Sequence, residues 1–214
     1  MSFSAELRDR TASTWHAAVA HRFVDELWGG RVEPRVLRTY LVQDLQFVDA
    51  FIALLGAAVA SADLAGPRLV HARQLGLVAG PESDFFTRAL DALDVPTAER
   101  TAPALARPTR DFLALMHGAQ VGADYPTCLA VLLVAEWLYL DWADRPDAET
   151  PAEPIHREWI ELHRGSAFAA WVSFLRTEFD RVGAELDTAG RDRVAAVFTR
   201  TVELELAFFE AAYA

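Results

Sequence analysis

Apolar residues recur at three- and four-residue intervals along nearly the whole chain and almost never alternate. A period near 3.6 marks helices buried on one face, whereas a period of two would mark strands. The chain is thereby restricted to an all-α arrangement, and its 214 residues suit one domain, 1–214. Helices are expected over residues 5–21 and 34–62, with Pro34 in a first turn. Gly66-Pro67 reads as a break, followed by a helix to about residue 79. Gly80-Pro81 reads as a second break, with Ser83 capping a helix to residue 93 and Asp84 in its first turn. A Pro-marked linker is expected over 95–108. Further helices are expected over 109–121, 126–143, 156–163, 167–182 and 190–212, with RPDAETPAEP as a loop. No 20–50-residue repeat interrupts this pattern.

The stretch LAVLLVAEWLYL, Leu129 to Leu140, sets eleven apolar residues around one carboxylate, Glu136. An ionised carboxylate in such a run is costly unless it is paired, solvated or protonated. Two other helices repeat the pattern. Asp44 interrupts the stripe formed by Leu37, Tyr40, Leu41, Phe47, Val48, Phe51 and Leu55. Glu205 interrupts the stripe formed by Val194, Phe198, Val202, Phe209 and Ala212, while Glu203 and Glu210 fall off it. Any one of these acids suits a stripe edge or a cap. Three on separate helices suit a site built from inward side chains of facing helices. Such a site favours a cationic or amine-rich ligand, and desolvation raises at least one pKa into the range of acid–base work.

Composition excludes several alternatives. Net charge is −11, and all twenty basic residues are Arg. Without Lys there is no Schiff-base or P-loop lysine, and without a basic face nucleic acid is not an expected partner. Cys128 is the only cysteine, so neither an internal disulfide nor a cysteine zinc cluster forms, and core filler is its expected role. Glu153-x-x-His156 is one metal-type pair, where a di-iron bundle needs two plus two further carboxylates, so no metal and no cofactor are expected. His71 and His117 are isolated. His163, which ends a helix beside Arg164-Gly165, is the more interesting histidine; its plain structural role would be that of a C-terminal cation. MSFSAELRDRTASTW lacks a signal peptide's apolar core. The apolar run Ala50 to Ala60 is shorter than the roughly 20 residues of a membrane span. A cytoplasmic protein with no membrane partner is expected.

Four segments carry a resemblance. HRFVDELWGGRVEPRVLRTYLVQDLQF, from His21 to Phe47, resembles the first signature of the TenA (thiaminase II) family, with its His-x-Phe opening, Gly-containing turn and Tyr-x-x-Gln-Asp. LLVAEWLYLDWA, PIHREWIELHRG and TVELELAFFEAAY resemble the family's central helix, Pro-Ile-x-x-x-Trp-Ile segment and final helix, in order. The resemblance implies a haem-oxygenase-like helical bundle that binds no haem, a homotetramer, and hydrolysis of thiamin-derived aminopyrimidines in thiamin salvage. It implies that Asp44 grips the pyrimidine amino group and adjacent ring nitrogen, that Tyr139 supports the reacting end, and that Glu205 is the general acid–base.

Departures are informative. The position of the family's nucleophilic Cys is similar to Ala135 here, next to Glu136, and Cys128 does not match it. Pocket tyrosines correspond to Phe47, Phe112 and His163. A second branch, lacking the Cys and relying on a glutamate, is the one this sequence resembles. It is associated with aminopyrimidine and formylaminopyrimidine hydrolysis. A carboxylate is a weaker nucleophile than a thiolate, so the expectation is a pair, Glu136 and Glu205, that activates water and protonates the leaving amine. The alternatives are a haem-oxygenase-like oxidase or di-iron oxygenase, a non-catalytic aminopyrimidine-binding protein, and a structural bundle without a site.

Overall fold

The computed structural model describes residues 2–78 and 83–214. Among them the regular elements are twelve helices and no strand. Three short ones open the chain: α1 (Phe3–Arg10), α2 (Ala12–Val19) and α3 (Arg22–Trp28). The long α4 (Pro34–Ser61) follows, then α5 (Ala65–Leu77), α6 (Ser83–Ala92) and α7 (Thr97–Thr101). The second half holds α8 (Arg107–Gly122), α9 (Tyr125–Ala143), α10 (Pro154–Leu162), α11 (Gly165–Glu185) and α12 (Thr188–Ala211).

α9 is the axis of the bundle. Cys128 through Val134 are fully buried without interruption, because α11, α12, α4, α8 and α2 surround the helix. A helix apolar on all sides is stable only when every side is covered. α4 and α9 are each long and apolar enough to cross a bilayer by length and composition, which a count of uninterrupted apolar residues does not detect. In α9, 72% of the most apolar window is buried inside the protein.

Four boundaries differ from expectation. The helix expected over 5–21 is two helices, broken where the Thr11 hydroxyl bonds the Leu7 carbonyl at 2.9 Å and its backbone turns to φ −100°, ψ 8°. His21 then accepts from the Phe23 N–H at 3.1 Å and starts α3, a helix the periodicity does not predict. Gly66-Pro67 does not break the chain. Pro67 is the third residue of α5, where its missing N–H costs nothing, and the break falls earlier, at Ala62–Leu64. The 95–108 linker contains α7, and α8 begins at Arg107 with Pro108 second. The expected break at Gly80-Pro81 and the capping side chain of Ser83 lie outside the described part of the chain. Asp124 and Asp187 cap the starts of α9 and α12.

α5 is pinned to the core by a polar chain. The Tyr125 hydroxyl donates to Glu178 at 3.1 Å and sits 2.9 Å from His71 Nε2, which therefore donates to it. Arg181 bonds both Glu178 (2.7 Å) and Asp63 (2.6 Å). This holds α5 at a fixed height beside the cavity described next.

Candidate active site

α4, α8, α9 and α12 diverge around a cavity of about 360 Å³, closed on the other side by α5, α10 and α11. The seven residues singled out from the sequence all line it: Asp44, Phe47, Phe112, Glu136, Tyr139, His163 and Glu205. The helical spacing explains why. Tyr40 and Asp44 are one turn apart on α4, and Glu136 and Tyr139 are one turn apart on α9, so each acid shares a face with an aromatic residue. Ala135 also reaches the cavity, at its rim of α9, so two successive positions of that helix face the same space.

Glu205 is the deepest acid, 2% exposed. Burial pushes its pKa well above the ordinary carboxylate range, and the charges of Asp44 and Glu136 push it the same way. Both effects favour its protonated, uncharged form. Above it the Tyr40 and Tyr139 hydroxyls bond each other at 2.8 Å. Burial keeps both phenols neutral. Phe47 and Phe112 pack at 5.2 Å and form an apolar wall.

The raised pKa has a consequence for stability. A carboxyl protonated when folded and ionised when unfolded stabilises the fold at low pH, and that contribution is lost as pH rises through the folded pKa. Glu205→Gln removes the dependence. The melting temperature of the variant relative to wild type is expected to rise as pH climbs from 5 through the raised folded pKa. A difference that is flat from pH 5 to pH 9, measured by circular dichroism, contradicts a raised Glu205 pKa.

His163 separates its two sequence readings, pocket residue and charged helix end. It is buried, and burial lowers its pKa to about 4, so it is a neutral ring and not a helix C-terminal cation. Its Nδ1–H donates to the Trp159 carbonyl at 2.8 Å. Gly165, at φ +87°, makes the sharp turn that starts α11 directly after it. Cys128 is buried away from the cavity, its Sγ 3.4 Å from the Ala119 carbonyl. Burial raises its pKa to about 12, so it carries no reactive thiolate.

Residues that periodicity did not mark as functional complete the site. Trp159 and Phe168 bracket His163, at 4.4 and 5.5 Å. Arg164 is the one basic side chain among the described lining residues. Trp159 lay in plain view within the Pro-Ile-x-x-x-Trp-Ile segment, whereas no sequence signal marks Arg164. The Glu153/His156 pair falls elsewhere, at a second cavity of about 430 Å³ lined by Leu37, Leu93 and Ile155. Among the described residues no three His, Cys, Asp or Glu side chains form a group that would hold a metal ion.

Known proteins share this architecture. The model of the TENA/THI-4/PQQC family matches residues 8–214. A relative from Bacillus subtilis (strain 168), named aminopyrimidine aminohydrolase, is 24% identical over 215 aligned residues, which cover 100% of this chain and 90% of the relative. A solved TenA homologue from Pyrococcus furiosus superposes with a TM-score of 0.86 at 16% identity, covering 99% of this chain and 100% of the other. A domain of unknown function from Shewanella denitrificans, described as having a heme oxygenase-like fold, superposes with a TM-score of 0.68 at 14% identity, covering 98% and 91%. The fold is therefore haem-oxygenase-like, and with the family pattern matched from residue 8 to the last residue the chain belongs to the TENA/THI-4/PQQC family.

Proposed function

We propose that this protein is an aminopyrimidine hydrolase of thiamin salvage that uses a carboxylate pair in place of a cysteine nucleophile. The observation that carries the reading is the acid cluster: Glu205, its pKa raised by burial and by Asp44 and Glu136, in an aromatic-lined cavity. Ala135 offers no nucleophile and Cys128 lies outside the cavity. The name of the Bacillus subtilis relative supports the substrate class.

In the proposed reaction Asp44 holds the amino group and neighbouring ring nitrogen of the pyrimidine. Phe47 and Phe112 flank the ring, and Tyr139 and His163 contact its reacting side. Glu205 gives its proton to the exocyclic amine. Glu136 takes a proton from a water molecule as the water oxygen bonds to the exocyclic carbon and the carbon–nitrogen bond breaks. Hydroxymethyl pyrimidine and ammonia leave, and the proton on Glu136 returns the pair to its starting state. No cofactor enters this scheme, and the proposed assembly is a homotetramer, checked by light scattering.

The test is a product assay. The protein is incubated separately with the aminomethyl aminopyrimidine, its N-formyl derivative and thiamin, and products are followed by mass spectrometry. Release of hydroxymethyl pyrimidine or formate without thiamin cleavage supports the reading. Absence of turnover with measurable binding replaces it with a non-catalytic aminopyrimidine-binding protein, a role that the loss of the cysteine favours. Glu136→Gln is expected to slow hydrolysis at least tenfold. A near-normal rate in that variant takes Glu136 out of the mechanism.

A further inference from the structure

His163 sits at the end of α10 with its ring packed against Tyr139 (4.8 Å) and Trp159 (4.4 Å). Its Nδ1 lies 2.8 Å from the Trp159 carbonyl oxygen. A carbonyl only accepts, so Nδ1 carries the ring's proton. A neutral imidazole has one such proton, and Nε2 is left with a lone pair. Nε2 has no partner among the described residues. Both nitrogens of His156 are sealed in the core without a partner, but His163 Nε2 is not sealed, and His163 lines the cavity.

We propose that His163 Nε2 is a fixed hydrogen-bond acceptor that selects ligands presenting an N–H, and thereby sets a preference for a free amine over its N-acylated form. The identity of these ligands rests on the aminopyrimidine-hydrolase reading. A hydroxyl at this position rotates and either donates or accepts. An imidazole locked by the Trp159 carbonyl only accepts.

The surroundings reinforce the selection. The cavity that His163 lines is rich in carboxyls, with Gln74 and Arg164 as its side-chain donors, and the Tyr139 hydroxyl beside the ring is already bonded to that of Tyr40. The neutral aminomethyl group that Glu205 protonates brings two N–H groups to this space. Its N-formyl derivative brings one, and adds beside it a carbonyl oxygen that Nε2 cannot bond. Leaving a buried acceptor unmet shifts affinity by about tenfold or more.

The test uses wild type, His163→Phe and His163→Tyr. Calorimetry gives Kd, and kinetics give kcat/KM, for the aminomethyl aminopyrimidine and its N-formyl derivative. Wild type is expected to prefer the amine at least tenfold. His163→Phe is expected to lose at least tenfold of that preference through weaker amine binding, and His163→Tyr to bind the formyl compound better than wild type does. Imidazole ¹⁵N spectra of the ligand-free wild type are expected to show the proton on Nδ1. A proton on Nε2, a wild-type preference for the formyl compound, or a preference unchanged within twofold in both variants overturns the proposal. Should the binding preference shift as expected without turnover of either compound, the acceptor role stands and the hydrolase reading falls. If hydrolysis proceeds but the variants keep the wild-type preference, the reverse holds. Should His163→Phe fail to fold, His163→Tyr and the spectra decide the matter.

Discussion

Glu205→Gln is expected to lower kcat about a hundredfold or more on whichever aminopyrimidine the wild type hydrolyses, the usual contribution of a placed proton donor. The amide fills the same volume and keeps its neighbours in place, but it has no acidic proton to give. Because burial favours the uncharged form of Glu205, a neutral amide disturbs the fold little. The expected signature is therefore a large loss of rate with no loss of melting temperature. Rates by mass spectrometry and melting by circular dichroism on one preparation check both halves. A kcat within threefold of wild type removes Glu205 from proton transfer, and a collapsed fold shows that its role is structural.

Trp142→Ala is expected to cost about 3–5 kcal/mol, the range for emptying a buried aromatic site. Trp142 is fully buried and meets the Tyr139 ring edge at 5.4 Å and the His163 ring at 5.7 Å. Its carbonyl accepts from the Trp28 indole at 3.0 Å, a bond that survives the change. The loss is thus one of packing, and it falls directly behind two site residues. Trp142→Phe is expected to cost much less, because the Trp142 indole N–H is buried without a partner and its removal relieves that penalty. Urea unfolding measures both variants. A loss under 1 kcal/mol in the alanine variant contradicts this account of the support behind Tyr139 and His163.

The helices were legible because burial on one face leaves a 3.6-residue imprint along α4, α8 and α12, while α9, apolar on all sides, was legible as one continuous apolar run. The imprint fails at ends, where a single local bond decides. The Thr11 hydroxyl bonded to Leu7 and Pro67 placed in a first turn are choices that periodicity does not record. The acids were legible for an energetic reason: Asp44, Glu136 and Glu205 stand where an apolar residue would be cheaper. Tyr40 was hidden by the same logic, since a tyrosine in a stripe is ordinary core until its hydroxyl is seen to meet that of Tyr139. The charge state of His163 was not legible, because exposure decides whether a histidine at a helix end is charged, and exposure here is set by Trp159 and Phe168 from two different helices.

Because α9 has almost no free face, the backbone that carries Glu136 and Tyr139 is clamped by five neighbouring helices. Natural drift and laboratory engineering therefore meet unequal resistance around the cavity. Exchanges of equal volume are tolerated on α9, and larger ones propagate into the core. α10 and the start of α11 are short or partly exposed and adapt at lower cost. New ligand preferences in this scaffold should be sought first at Arg164, Ala167 and Phe168, with the acid floor left untouched.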